Sequence, residues 1–273
     1  MFISDKIIFL QLDKTASTHI AKLLHSVSPG TVLEKHSQLE ENAGDRCVIG
    51  SVRNPWDWYV SLWAYGCHSR GKVFNQLTRP FPKVSYRLIK RSARHPSDWG
   101  DTAKKIFSHS RKDHTYWKNV YSNADDPNLF REWLRAILSE DGKRLLTGEY
   151  PHLPLRKFTG LMTHRFLYLF VEANVWRENA NRIRSYGELQ TMYTEHGVVD
   201  KFIKMEQLEN DLTDILQYLK IDFDKEEFIS KRKTNTSKHY AASFYYDAET
   251  IELVRQQDQL LISEFNYETP SLR

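Results

Sequence analysis

The sequence predicts an α/β fold with a central, mainly parallel sheet flanked by helices. Two observations support this prediction: short apolar runs typical of buried strands recur along the chain, and segments with the apolar spacing of amphipathic helices lie between them. Alternating strands and helices favour a parallel sheet that is covered on both faces. The chain has 273 residues, of which 40% are hydrophobic, and no linker rich in proline, glycine or serine divides it. We therefore expect one domain over residues 1–273.

The strands and helices follow in order from these patterns. The predicted strands are Ile7–Leu12, Arg46–Val52, Phe166–Val171 and Val199–Met205. The first strand is followed by a helix whose apolar stripe starts at Ile20 and ends before Pro29. A second clear helical stripe runs from Leu208 to Leu219. Because ligands bind beyond the carboxyl ends of parallel strands, the residues after these strands are the first candidates for a site.

The turn after the first strand is typical of a loop that holds a phosphate, with the sequence Leu12-Asp13-Lys14-Thr15-Ala16-Ser17-Thr18. A strand, a turn and a helix in succession aim backbone N–H groups and the positive end of a helix dipole at one point. Lys14 adds a full charge, and the three hydroxyl residues add donors. The nucleoside triphosphate loop requires two glycines that are missing here, so this P-loop-like turn suits a less charged group than a Mg-triphosphate. The alternative is an ordinary polar helix N-terminus.

A second anion site is predicted at the end of the second strand. Asn54 is a good N-cap, Pro55 occupies the favoured first helical position and Asp57 can meet free N–H groups, so a helix should begin here. Arg53 is then left at the end of the strand. Ser61 lies about 10 Å along the helix, where it and Arg53 can reach the same anion. The alternative is that Arg53 pairs with a carboxylate and Ser61 is a solvated hydroxyl.

A basic block near the C-terminus precedes a last helix. The block Lys-Arg-Lys-Thr-Asn-Thr-Ser-Lys occupies residues 231–238, and a Tyr-Tyr-Asp sequence at 245–247 leads into a helix with an apolar side from Ile251 to Ile262. Such a block, taken alone, is more often a solvated loop than a functional one.

These three blocks resemble motifs of the sulfotransferase superfamily, and the C-terminal block resembles its carbohydrate-type and bacterial branch. Members use 3′-phosphoadenosine 5′-phosphosulfate; a Lys-Thr-Gly/Ala-Ser/Thr-Thr loop holds its 5′-phosphosulfate, and an Arg-Asn-Pro-Trp-Asp segment with a downstream serine holds its 3′-phosphate. The resemblance implies a P-loop-like three-layer fold. The donor-binding residues that it implies are Lys14, Thr15, Ala16, Ser17, Thr18, Arg53, Ser61, Ser237 and Lys238. The resemblance is weak over residues 66–165, for which we expect a mainly helical insertion on the acceptor side.

The resemblance implies transfer of a sulfuryl group from this donor to a hydroxyl acceptor, for which we expect a carbohydrate, with release of adenosine 3′,5′-bisphosphate and without a metal. Such a transfer needs positioning, in-line attack and charge stabilisation. We expect Lys14 to stabilise charge on the leaving 5′-phosphate. Related enzymes carry a Lys-His pair before the Arg-Asn-Pro strand, which implies His36 as the general base. The alternatives are His19 and Glu206, although Glu206 is expected to cap the helix after the last strand.

The region 66–165 is expected to shape the acceptor pocket for a glycan or a small molecule. The basic candidates are Arg87, Lys90, Arg91 and Arg94, and the aromatic candidates are Trp99, Tyr116, Trp117 and Trp133. Basic groups beside aromatic faces suit anionic sugars. The alternative is a solvated helical face with ordinary core aromatics.

Three other functions share parts of this pattern. A P-loop-type kinase would use Mg-ATP, and a nucleotide-binding relative would hold the donor without turnover. A nucleic-acid-binding protein would use the basic clusters, but a net charge of +4 is too small to indicate one. No signal peptide or membrane-spanning run is evident, so a cytoplasmic protein is expected. Cys47 and Cys67 lack metal-ligand spacing, and Cys47 is expected to be a buried thiol.

Overall fold

The computed structural model describes residues 1–40, 42–79, 89–90, 93, 99–100, 102–103, 112–146, 148–224 and 239–272. These ranges form an α/β fold with a five-stranded sheet and many helices. The strands are β1 (Phe2–Ser4), β2 (Ile7–Leu10), β3 (Gly30–Val32), β4 (Cys47–Val52) and β5 (Lys201–Lys204). The helices are α1 (Ser17–Val27), α2 (Pro55–Cys67), α3 (Lys72–Thr78), α4 (His114–Asn119), α5 (Pro127–Leu138), α6 (Glu140–Arg144), α7 (Leu161–Phe170), α8 (Ala173–Asn179), α9 (Tyr186–His196), α10 (Leu208–Tyr218), α11 (Ala242–Tyr245), α12 (Ala248–Gln257) and α13 (Gln259–Phe265).

The strand order across the sheet is β3-β1-β2-β4-β5. β4 runs parallel to both β2 and β5, whereas β1 is antiparallel to both β2 and β3. The expectation of a mainly parallel sheet is therefore wrong, because the sheet is mixed. Only Asp5 and Lys6 separate β1 from β2, and so short a connection permits only an antiparallel hairpin. β1 is 3 residues long, too short for its apolar pattern to be recognised as a strand.

Three of the four predicted strands are present as β2, β4 and β5, and the helices predicted after the first and last strands are present as α1 and α10. The predicted strand Phe166–Val171 is wrong, because these residues belong to α7 except for Val171, which forms an isolated bridge to Gly197. A short apolar run fits a buried helix as well as a buried strand. Most of α7 is buried, so its apolar residues do not reveal the helical period.

Alternate residues of the central strands pack in two separate hydrophobic clusters. In β2, Ile7 and Phe9 belong to a cluster with residues of α1 and α10. Ile8 and Leu10 belong to the larger cluster, which includes residues of α2, α5 and α7. Side chains that alternate along a strand point to opposite faces of the sheet, so β2 is covered on both faces.

The last predicted helix is divided in two by Asp258. α12 ends one residue before it and α13 begins one residue after it, and its side chain is fully buried. The carboxylate accepts hydrogen bonds from the Tyr59 hydroxyl (2.8 Å) and from the backbone N–H and hydroxyl of Thr163 (2.8 and 2.7 Å). Burial raises the pKa of Asp258, and these donors oppose the increase. Asp258 therefore ties the C-terminal helices to α2 and α7.

The described parts of residues 66–165 include α3 to α6 and the start of α7. The assignment of this region as an acceptor-side insertion, and of the chain as one domain, stays a prediction. Both cysteines are free, and Cys47 is buried as predicted. Within the described ranges, no helix is both long enough and apolar enough to cross a membrane.

Candidate functional site

The loop that follows β2 is a tight turn with backbone strain. Lys14 and Ala16 have φ angles of 62° and 56°, in the left-handed region that is unfavourable for residues other than glycine. Thr15 between them is fully buried; its hydroxyl donates to the Leu12 carbonyl (2.8 Å) and lies 2.7 Å from the Ser51 hydroxyl. Because Ser51 belongs to β4, these buried bonds fasten the strained loop to the neighbouring strand.

The N-terminus of α1 begins in this loop without a side-chain cap. Ala16 is the N-cap residue and has no side-chain oxygen to offer. The next two residues are Ser17, which is buried, and Thr18, which is half-buried. The first N–H groups of a helix have no partner within the helix and carry partial positive charge, so they are ready donors to a phosphate.

Lys14 places a cation beside these donors. Burial lowers the pKa of Lys14 to about 8; the charge of Asp13 opposes this decrease and that of Arg53 adds to it. The ammonium lies 3.9 Å from the centroid of the Tyr65 ring. At neutral pH most of this side chain is still protonated. Because little water competes for it, the ammonium is a strong partner for an anion.

Arg53 lies at the end of β4, next to the loop that carries Lys14. Its side chain is buried, with 8% of the residue exposed, and its Nη1 donates to the Lys14 carbonyl (3.3 Å). Burial lowers the pKa of Arg53, and the carboxylates of Asp57 and Glu206 oppose the decrease. Arg53 therefore contacts the Lys14 backbone at the carboxyl ends of the parallel pair β2 and β4, and its charge also acts on the Lys14 ammonium.

α2 begins as predicted. The Asn54 side chain accepts a hydrogen bond from the Trp56 N–H (3.0 Å), and Pro55 is the first helical residue. Glu206, which was expected to cap α10, instead accepts from the Asn54 N–H (2.7 Å). That expectation is wrong because β5 lies beside β4, which brings the turn after β5 to the start of α2. Ser61 is buried on α2, with 3% of the residue exposed.

Asp13 is held by residues of two helices. The Trp58 indole N–H of α2 donates to the Asp13 carbonyl (2.8 Å). Arg165 of α7 forms an ion pair with the Asp13 carboxylate, and its guanidinium carbon lies 5.4 Å from the Trp58 ring centroid. The carboxylate next to Lys14 in sequence is thus already paired with another cation, which leaves the lysine charge for other partners.

The Lys35-His36 pair is hydrogen-bonded to Gln11 and Thr18, at the two ends of the loop. His36 is exposed and has a φ of 61°, and its Nδ1 lies 2.6 Å from the Gln11 carbonyl oxygen. Since a carbonyl only accepts, Nδ1 is the donor, and in the neutral ring Nε2 is the proton acceptor. Lys35 Nζ donates to the Thr18 hydroxyl (3.1 Å). The predicted general base is therefore anchored to the residue that follows β2.

Ser237 and Lys238 lie outside the described residues. His239, which follows them, is close enough to the two cations to be affected by their charge. Burial lowers the pKa of His239, and the charges of Arg53 and Lys14 lower it further, whereas its bond to the Tyr240 carbonyl opposes the change. The chain that leaves the basic block therefore passes by the site.

The predicted acceptor residues are divided between core and surface. Trp117 and Trp133 are buried in the aromatic core, which favours the alternative that they are structural. Trp99 is 46% exposed. Lys90 is exposed, whereas Arg87, Arg91 and Arg94 lie outside the described residues. The acceptor pocket stays a prediction. His19, one of the alternative bases, is buried on α1.

Three residues at the site were not predicted from the sequence. Tyr65 lies four residues after Ser61, so the two residues share one face of α2, and this spacing was the available signal. Gln11 is buried, and among the described residues neither of its side-chain polar atoms has a hydrogen-bond partner. Its signal was a polar residue at the end of an apolar strand. Arg165 had no local signal, because only the tertiary fold brings it to Asp13.

Comparisons with family models, curated proteins and solved structures found no match for this chain. The chemistry of the site therefore rests on its own residues. Lys14 and Arg53 provide positive charge, the start of α1 provides N–H donors, and His36 provides a proton acceptor. Such a set can hold an anion with more than one charged group and can accept a proton from a hydroxyl.

Proposed function

We propose that this protein is a sulfotransferase that moves a sulfuryl group from 3′-phosphoadenosine 5′-phosphosulfate to a hydroxyl group of a carbohydrate. The observation that carries the proposal is the meeting of Lys14 and Arg53 at adjacent parallel strand ends, where Arg53 Nη1 donates to the Lys14 carbonyl (3.3 Å). Two cations so placed suit a nucleotide whose phosphates are separate. The finer fold that we propose is a P-loop-like three-layer arrangement, supported by the two hydrophobic clusters on opposite faces of β2.

Two groups of residues bind the two ends of the donor. In this proposal Lys14 and the N-terminus of α1, over residues 15–18, bind the 5′-phosphosulfate. Arg53 and Ser61 bind the 3′-phosphate, together with Ser237 and Lys238, which lie outside the described residues. The charges of Arg53 and Lys14 act on His239, the first described residue after Lys238, which supports a contribution of Ser237 and Lys238 to the same site.

The reaction needs little covalent work from the protein. The acceptor oxygen attacks sulfur, a new S–O bond forms, and the S–O bond to the 5′-phosphate breaks in line with it. His36 takes the acceptor proton on Nε2, because its Nδ1 proton is engaged by the Gln11 carbonyl (2.6 Å). Lys14 neutralises the charge that develops on the leaving phosphate oxygen.

Calorimetry with adenosine 3′,5′-bisphosphate in the absence of metal tests the donor site. We expect binding by the wild type and much weaker binding by Lys14→Ala. Lys22→Ala removes the same charge from an exposed position on α1 and should bind like the wild type. Preference for Mg-ATP over the bisphosphate would indicate a kinase and would contradict the proposal.

Turnover tests the transfer itself. Radiolabelled donor is incubated with glycans, small phenols and lipids, and we expect label on glycans. Lys14→Ala should lower turnover by about 10²-fold or more without loss of the fold. His36→Gln should lower turnover more than His68→Gln, which makes the same change at another exposed position and serves as the control. Binding of the bisphosphate with no transfer to any acceptor would indicate a nucleotide-binding relative without turnover.

A further inference from the structure

We propose that Tyr65 is a positioning residue for Lys14. The face of the Tyr65 ring keeps the Lys14 ammonium charged in the loop after β2 until an anion binds. The two groups are in direct contact, since Lys14 Nζ lies 3.9 Å from the ring centroid. A cation within about 6 Å of an aromatic face is attracted by the ring quadrupole. For its role in catalysis, this inference rests on the proposed sulfuryl transfer.

The position of the ring is set by α2, which carries it, and by the close approach of the chain before α3. Tyr65 and Ser61 are one helical turn apart on α2, so the ring lies on the face that carries a predicted donor contact. On the far side, a Cβ at Gly71 would lie 3.0 Å from a Tyr65 ring carbon, and Gly71 has a φ of 97°. Glycine thus allows the backbone before α3 to pass close to the ring and limit its movement.

The surroundings of Lys14 explain why a ring is useful there. Burial disfavours the charged form of a lysine, and here it lowers the Lys14 pKa to about 8. The carboxylate of Asp13 favours the charged form, but its direct ion pair is with Arg165. A carboxylate bound directly to Lys14 would compete with an anionic ligand, whereas a π face stabilises the charge and is weaker than a phosphate oxygen as a partner.

The consequence is a Lys14 ammonium that is charged and, among the described residues, has no carboxylate in direct contact. In this proposal the ammonium leaves the ring for the phosphate oxygen when the 5′-phosphosulfate binds. Removal of the ring should therefore act first on the protonation of Lys14, and only through it on binding and turnover. That order of effects separates a positioning role from a merely structural one.

Competitive acetylation of Lys14, followed by mass spectrometry across a range of pH, measures the protonation directly. Tyr65→Leu should lower the pH at which half of Lys14 reacts by about one pH unit. Tyr65→Phe keeps the π face and should restore the wild-type midpoint. Tyr65→pentafluorophenylalanine keeps the ring shape but reverses the charge of its face, so it should behave like Tyr65→Leu and serves if the leucine variant fails to fold.

Turnover provides the second measurement. At pH 8 Tyr65→Leu should be about fivefold slower than the wild type. The difference should decrease towards pH 6, where Lys14 is protonated in both the wild type and the variant. An unchanged acetylation midpoint in a folded Tyr65→Leu or pentafluorophenylalanine variant would overturn the proposal for Tyr65. A wild type that neither binds the bisphosphate nor transfers label would instead refute the sulfotransferase, and the acetylation result would still decide the role of the ring.

Discussion

The loop after β2 and the strand end before α2 each bring one cation to the same edge of the sheet, but they hold it differently. Lys14 lies in a strained turn against an aromatic ring, and burial lowers its pKa to about 8. Arg53 ends a regular strand and is buried, and the charges of Asp57 and Glu206 oppose the effect of burial on its pKa. A guanidinium keeps its charge at any physiological pH, whereas this lysine titrates close to neutrality. Arg53 is therefore a permanent charge that also bonds to the loop, whereas Lys14 is the group whose charge changes with pH.

Removal of Arg53 should have the largest effect on folding. Arg53→Ala leaves the nearby carboxylates without their compensating charge and opens a cavity, so we expect a loss of about 2–3 kcal/mol in the free energy of unfolding. Urea denaturation measures it. Arg70→Ala removes the same charge from an exposed position and should change stability by less than about 0.5 kcal/mol. Equal stability of the two variants would show that Arg53 has no architectural role.

The buried hydroxyl of Thr15 should come next. Thr15→Val keeps the shape but leaves the Leu12 carbonyl and the Ser51 hydroxyl without this partner, which should cost about 1–2 kcal/mol. Thr18→Val, at a half-buried position bonded to Lys35, is the control and should cost less than about 0.5 kcal/mol. Thermal unfolding of both variants measures the difference. If Thr15→Val is as stable as Thr18→Val, the loop is not fastened to β4 in the way described.

The backbone strain at Lys14 should have a smaller effect on stability, with a sign opposite to that inside a regular helix. Because its φ is 62°, Lys14→Gly should be more stable than Lys14→Ala by about 1 kcal/mol. At Lys22, inside α1, glycine should instead be less stable than alanine by about 1 kcal/mol. Chemical denaturation of the four variants compares the two positions. The same sign at both positions would argue against the left-handed conformation of Lys14.

The smallest expected effect is the pH dependence of anion binding. With its pKa lowered to about 8, Lys14 is charged below that pH and loses its charge as the pH rises through it. Affinity for adenosine 3′,5′-bisphosphate should therefore fall about twofold between pH 7 and pH 8. Lys14→Arg stays charged and should show no such decrease in calorimetry. A decrease of the same size in the arginine variant would assign the titration to another group.

Local sequence signals were sufficient for the units that form the site. The apolar run before Lys14, the helical spacing after it and the Asn54-Pro55 start of α2 all predicted elements that are present. Local signals were insufficient where an element is buried on most sides, because it then has no polar face to contrast with its apolar face. The predicted strand at Phe166 is a helix for this reason, and β1 was missed because so few residues leave no period to detect.

The sequence by itself determined a strand–turn–helix loop with Lys14, a strand that ends at Arg53 and a helix that begins at Pro55, because each depends on residues close together in the chain. Only the tertiary structure decided that Arg53 bonds to the Lys14 carbonyl and that Asp13 pairs with Arg165. It also decided that two of the four strand pairings in the described sheet are antiparallel. These features join residues that are far apart in sequence, and their geometry follows from the packing of the whole sheet and its helices rather than from any local preference.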